Sequence, residues 1–222
     1  MDVISVHGIG WIGDEEYGTV SKGVKESYKD KPFPKKNIFD FPFKNFGRLD
    51  RTTRMACSAI ALALKDAGRE YAPGVKQDMG IVSTNKSGCI ETDMNYFKDY
   101  LDGGRVLGRG NLFIYTLPSS PSGEAAIYFG LQGPVLYVTD RERPVVTALR
   151  TASEMIGNNE AWAMFAGQAE AGFAVYFLLA GETSMGEHAL CSLDHAMNIV
   201  KKKSTLREMI EKFSDPKKGS AV

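Results

Sequence analysis

Residues 133–149 read GPVLYVTDRERPVVTAL. Val135, Leu136, Tyr137 and Val138 form a short run of apolar, β-branched and aromatic residues, the pattern of a buried strand. Pro144 suits the first turn of a helix, where the N–H it lacks would have had no partner. After it, Val145, Ala148, Leu149, Ala152, Met155 and Ile156 recur at helical spacing until Gly157 closes the run. A strand that turns sharply into a helix presents the intervening residues to the positive helix end, where a thiolate would be stabilised. Here that tip is Asp140-Arg141-Glu142-Arg143, and it holds no cysteine.

Upstream, residues 3–6 predict a first strand, and His7-Gly8-Ile9-Gly10 predicts a tight turn after it. A dinucleotide site is disfavoured there, because acidic Asp14-Glu15-Glu16 follows and no ribose-binding acid comes at the right distance. Residues 26–48 hold Pro32, Pro34 and Pro42 and predict an irregular loop packed by Phe33, Phe39, Phe41, Phe43 and Phe46. Asp50 predicts the cap of a helix that runs through Asp66 and ends at Gly68. Its centre is apolar around nearly the whole circumference, so it requires cover on more than one side, and Cys57 within it is a core residue. Residues 78–83 predict a strand, 84–89 a polar loop, and 91–101 a helix with Met94, Phe97 and Leu101 on one face. A glycine-rich loop over 102–111 and a short helix from Ser120-Pro121 lead back to the opening stretch. Beyond it, residues 161–166 and 173–179 predict neighbouring strands, 201–214 a charged amphipathic helix, and 214–222 a frayed end. Strands alternating with helices argue an α/β sheet covered by helices.

With 222 residues, the chain is long enough for one domain with a sizeable core. Twenty-seven basic residues balance 27 acidic ones, which disfavours nucleic acid or an anionic membrane as the main partner. Lys201, Lys202 and Lys203, like Lys217 and Lys218, read as solvated surface. Cys57, Cys89 and Cys191 show no metal spacing; an odd count fits reduced thiols and a cytoplasmic location, and no metal or other cofactor is expected. No window approaches the roughly 18 apolar residues of a membrane span, and no signal segment opens the chain.

In order, these stretches resemble the N-terminal half of a β-ketoacyl synthase of the thiolase superfamily. The opening strand with His7-Gly8-Ile9-Gly10, the helix from Leu49-Asp50-Arg51 to Asp66-Ala67-Gly68, the lead-in from Pro118 to Gly133-Pro134, and Gly167-Gln168-Ala169-Glu170 with its strand carry the likeness. It implies a thiolase-like βαβαβαββ half-domain with a mixed five-stranded sheet, over residues 1–200, followed by a charged helix and tail over 201–222. When Gly133-Pro134 is set on the family's Gly-Pro, Glu142 falls where the catalytic cysteine belongs. The family's second half, with two catalytic histidines, needs about as many residues again. None of His7, His188 and His195 sits in that histidine motif.

Two residues stand as catalytic candidates. A carboxylate such as Glu142 is a far weaker acyl nucleophile than a thiolate, and a helix N-terminus stabilises it further as an anion. Its simpler role is a helix-start acid paired with Arg141 and Arg143. Cys89 ends the loop Thr84-Asn85-Lys86-Ser87-Gly88, where Lys86 is available to lower its pKa; an inert loop cysteine is the simpler reading, since the sequence places no histidine to deprotonate it. By the resemblance, the chain is expected to be a ketosynthase-like accessory or acyl-binding subunit of a fatty-acid or polyketide-type pathway, without independent condensing activity. Chain-length factors and some loading ketosynthases of the family also replace the cysteine with an amide or an acid. The expected partners are an acyl carrier protein or acyl thioester and a complete ketosynthase subunit; a homodimer would imitate the family's two-halves arrangement. The alternative is a stand-alone or split acyl-thioester transferase, decarboxylase or hydrolase, and a third possibility is an assembly protein that binds no acyl group.

Overall fold

Strand β1 (Ile4–Gly13) shows why the sheet and its first helix come so close together. Residues 7–10, expected as a turn, continue the strand instead. Helix α1 (Arg51–Asp66) lies across it. A Cβ on Gly8 would stand 2.3 Å from the Ala63 carbonyl oxygen, and one on Gly10 would stand 2.2 Å from the Ala59 oxygen and the Ala63 nitrogen. The glycines are therefore a groove for a helix rather than a bend in the chain. Ala59 and Ala63 supply the matching small face.

The structure, a computed structural model, describes residues 3–106, 108–181, 189–202 and 205–213. Among the described residues, eight strands form one sheet in the order β3-β2-β1-β7-β6-β4-β5, with β8 paired to β1. Strands β4 (Met79–Thr84), β5 (Val135–Tyr137), β6 (Ala163–Ala169) and β7 (Phe173–Gly181) join β1 as the five expected from the sequence. Both pairings of β4, with β5 and with β6, are parallel, while the β6–β7 and β7–β1 pairings are antiparallel. Three short strands extend this core: β2 (Glu16–Thr19), β3 (Lys25–Ser27) and β8 (Cys191–Ser192). They are too short to leave an alternating apolar pattern.

The apolar circumference of α1 finds cover on both sides. Strands β1, β7 and β6 take one side, and helix α3 (Ser120–Phe129) packs on the other with the aromatic loop at residues 33–46. There Phe43 stacks on Tyr128 with ring centroids 3.9 Å apart, and Phe39 meets both edge-on. Asp50 caps α1 by accepting the Thr53 N–H at 2.8 Å. At its other end the buried Asp66 carboxylate accepts the N–H groups of Ile9 and Ser21, tying the helix to β1 and to the turn after β2.

The opposite face of the sheet carries helix α4 (Pro144–Gly157), with Val145, Ala148, Leu149 and Ala152 buried on Val82, Met164 and Ala166. On its polar side Arg150 and Glu154 are exposed and Thr147 and Thr151 half-buried. Beside α4 the single C-terminal helix expected over 201–214 is two: α5 (Leu193–Lys202) and α6 (Leu206–Phe213). Ala196, Ile199, Met209 and Ile210 are buried in the same cluster as Val6, Ile9 and Phe177. His188, Lys203 and residues 214–222 lie outside the described residues.

The strand β5 corrects the reading of the opening stretch. Val135 and Leu136 are each 38% exposed, because β5 is an edge of the sheet and not one of its inner strands. Helix α2 (Ile90–Asp102) is also outward-facing: none of its residues is buried, and Met94 and Phe97 are 68% and 59% exposed. Among the described residues, no helix is long and apolar enough to cross a membrane.

Candidate functional site

Parallel strands bring their carboxyl ends to one edge, and in open α/β sheets ligands bind in the crevice outside those ends. Here β4 ends at Thr84, β5 at Tyr137 and β6 at Ala169, and the loops that follow them meet. Asn85 anchors the first loop: its Oδ1 accepts the Gly88 N–H at 2.6 Å and the Tyr137 hydroxyl at 2.7 Å. Glu170 joins the loop after β6 to the same place. Its carboxylate accepts the Lys86 N–H at 2.7 Å, the Gln168 side-chain amide at 2.9 Å and the Ser87 hydroxyl at 3.4 Å. Beneath them, the Ser122 hydroxyl donates to Ser83 Oγ, which is also 2.6 Å from the Tyr176 hydroxyl. Burial pushes the Tyr176 hydroxyl far above its ordinary pKa, so this buried chain stays neutral.

The loop between β5 and α4 is organised by Asp140. Its Oδ1 accepts the N–H groups of Glu142 and Arg143, each at 2.9 Å, and its Oδ2 accepts the Thr147 hydroxyl at 2.6 Å. Those donors, Thr147 foremost, hold the Asp140 carboxyl below its usual range. Pro144 occupies the first turn of α4, as the sequence predicts. Glu142 stands exposed just before that turn, with its backbone fixed by Asp140. Among the described residues, Glu142 makes no ion pair. The expected pairing with Arg141 and Arg143 is therefore replaced by the Asp140 cap. An Asp a few residues ahead of a proline-started helix was the signal for it in the sequence.

Glu142 lines a cavity of about 280 Å³ with Lys86, Arg143, Val145 and Gln168 on one side. The other side comes from the C-terminal helices and their connection: Val200, Lys201, Thr205 and Met209. Cys89 does not open into this space. It precedes α2 and lines a separate polar cavity of about 270 Å³ with Thr52, Asn85, Ser87, Thr92 and Glu170. Burial, with Asp93 and Asp50 adding to it, pushes the Cys89 thiol up to about 11, opposite to the lowering that Lys86 would give. The other thiols are no readier: Cys57 is fully buried, and burial pushes Cys191 up to about 11.

His7 sits inside β1, buried at the irregular register between Val6 and Gly8, and not at a turn. His195 is exposed on α5. Neither lines the cavity of Glu142 or that of Cys89. Among the described residues, no group of three or more His, Cys, Asp or Glu side chains is placed to hold a metal ion.

The sequence profile described as Beta-ketoacyl synthase, N-terminal domain, matches residues 10–175. The chain belongs to that family. A protein of Streptomyces virginiae described as a polyketide beta-ketoacyl synthase is 31% identical over 108 residues, which are 48% of this chain and 27% of that relative. Among solved structures, the ishigamide ketosynthase/chain length factor superimposes with a TM-score of 0.65 at 18% identity, covering 86% of this chain and 65% of the other. A type II PKS acyl-carrier protein in complex with its ketosynthase gives 0.62 at 15% identity, over 86% and 66%. A ketosynthase in complex with its chain length factor from Xenorhabdus doucetiae gives 0.58 at 15% identity, over 81% and 79%. At such identities the structures show the fold, a mixed sheet with helices on both faces. The chain spans about a quarter of the curated relative and about two thirds of the first of these structures.

Proposed function

We propose that this protein is a ketosynthase-like accessory subunit of a polyketide-type pathway, binding an acyl thioester or its carrier protein without condensing acyl units by itself. The observation that carries this is the tip before α4. The resemblance sets Glu142 where the family places its nucleophilic cysteine, and Glu142 stands exposed beside a cavity that no thiol lines. A carboxylate is a far weaker acyl nucleophile than a thiolate, which weighs against acyl transfer at this position. The high proton affinity of the Cys89 thiol weighs against the alternative of an acyl-thioester transferase, decarboxylase or hydrolase built on that residue. In this reading residues 1–200 are the ketosynthase-like unit, 201–222 is an appended charged segment, and α6 of that segment packs on the unit through Met209 and Ile210.

The exposed edge of β5 and the apolar stripe of α2 support a protein partner at that end of the sheet. An unpaired strand edge is a template for another chain, and contiguous exposed apolar side chains mark interaction surfaces. Two structural relatives are titled as pairs of a ketosynthase with a chain length factor. A complete ketosynthase subunit is the partner this supports, with a second copy of this chain as the homodimeric form. Intact-mass measurement after incubation with acyl-thioester probes tests the chemical half of the proposal. No covalent adduct is expected; an adduct lost in Cys89→Ser would establish the enzyme instead. Light scattering tests the other half: a monomer at micromolar concentration removes the homodimer, and no complex with a co-expressed ketosynthase removes the pairing.

A further inference from the structure

The cavity beside Glu142 is completed by a part of the chain that lies outside the stretch matched by the family. The profile match ends at residue 175, whereas Val200, Lys201, Thr205 and Met209 close the cavity from α5, α6 and their connection. Packing holds Met209 in place: it is 7% exposed, and Ile199 and Ile210 beside it are buried in the same cluster as Val6 and Ile9. Pro144, Val145 and Val146 of α4 and Phe173 and Val175 of β7 form a facing apolar wall, while Gln168 and Thr205 add to the polar part of the lining. Lys86, Arg143 and Lys201 stand at its polar side with Glu142. We infer that the C-terminal helix pair is the specificity wall of this site, with Met209 setting how long an acyl chain the cavity admits. The inference rests on the acyl-binding function proposed above and adds which residues select the ligand.

The physical case is one of volume. A cavity of about 280 Å³ accepts a short chain, and its limit is set by the side chain that occupies its apolar wall. Met is unbranched and adaptable, so truncating it to Ala opens space, while Trp at the same position closes it. Each methylene gained or lost in an apolar pocket changes affinity by about tenfold.

The test is calorimetric titration of the full chain with an acetyl-to-octanoyl pantetheine series, comparing wild type, Met209→Ala and Met209→Trp. For Met209→Ala, the preferred chain is expected to lengthen, with affinity for the longer members rising about tenfold. Met209→Trp is expected to lose them. Unchanged chain-length preference in folded variants overturns the inference while leaving acyl binding intact. If wild type binds no member of the series, the acyl-binding proposal fails by itself. The wall is then decided by the reactivity of a Val145→Cys thiol toward methyl methanethiosulfonate. Val145 is 6% exposed and lines the cavity, so the reagent reaches it through that space. Met209→Trp is expected to slow the labelling roughly tenfold. Thr205→Trp replaces it should far-UV circular dichroism show Met209→Trp unfolded, because Thr205 is exposed. Equal labelling rates overturn the inference.

Discussion

Helices α1 and α2 follow neighbouring stretches of one chain and meet opposite fates. In α1, 12 of 16 residues are buried, including every residue from Met55 to Leu64; in α2, none of 13 is. Both are amphipathic enough to pack, and both carry large apolar side chains. What separates them is what the rest of the fold offers. The sheet grooves itself with Gly8 and Gly10 to receive α1, and α3 with the aromatic loop closes over it. Among the described residues, none closes over the apolar stripe of α2, and the adjacent sheet edge at β5 is also unpaired there. The first arrangement is a core; the second is a surface suited to another protein.

Breaking the inner side of this comparison should cost most. Phe129→Ala removes a fully buried ring from the layer covering α1 and is expected to cost about 3–5 kcal/mol in denaturant unfolding. Gly10→Ala places a methyl group against the α1 backbone and is expected to cost about 1–3 kcal/mol, the cost of overpacking. On the outer side, Phe97→Glu should change stability by no more than about 0.5 kcal/mol, since the ring is 59% exposed. The same change is expected to abolish association with a partner ketosynthase in light scattering. A stability loss comparable to that of Phe129→Ala would mean that α2 belongs to the core.

The smallest effect concerns the tip before α4. The Asp140 carboxyl is held below its usual range by Thr147 and by the Arg143 and Glu142 N–H groups, so it contributes stability above the ordinary carboxylate pKa. That contribution is lost as pH falls through its lowered folded value. Asp140→Asn should therefore lower the thermal midpoint most near neutrality and least below the lowered folded pKa, which flattens the acid limb of a thermal-midpoint-against-pH curve. An unaltered acid limb would show that Asp140 does not cap the loop.

The strand–helix alternation was legible because its core segments are long and strongly patterned. β6 and β7 read as apolar runs, and Asp50 and Pro144 announce the starts of α1 and α4. The misreadings share a physical cause: a glycine pair in a strand looks like a turn until the helix it accommodates is known. In the same way, an apolar run looks buried until the sheet order makes it an edge. At the site, the sequence singled out Glu142 and Cys89 but not that they line different cavities, since loop meeting points depend on strand order. Asn85 and Glu170, which tie those loops together, pair across 52 and 84 residues of sequence, with Tyr137 and Lys86 respectively. No local pattern encodes such contacts.

Condensation by the isolated protein bears most directly on the central claim, that a carboxylate has taken the nucleophile's place. Purified wild-type protein incubated with malonyl and acyl thioesters is expected to yield no β-ketoacyl product above the protein-free control. Formation of that product by this chain alone would contradict the account.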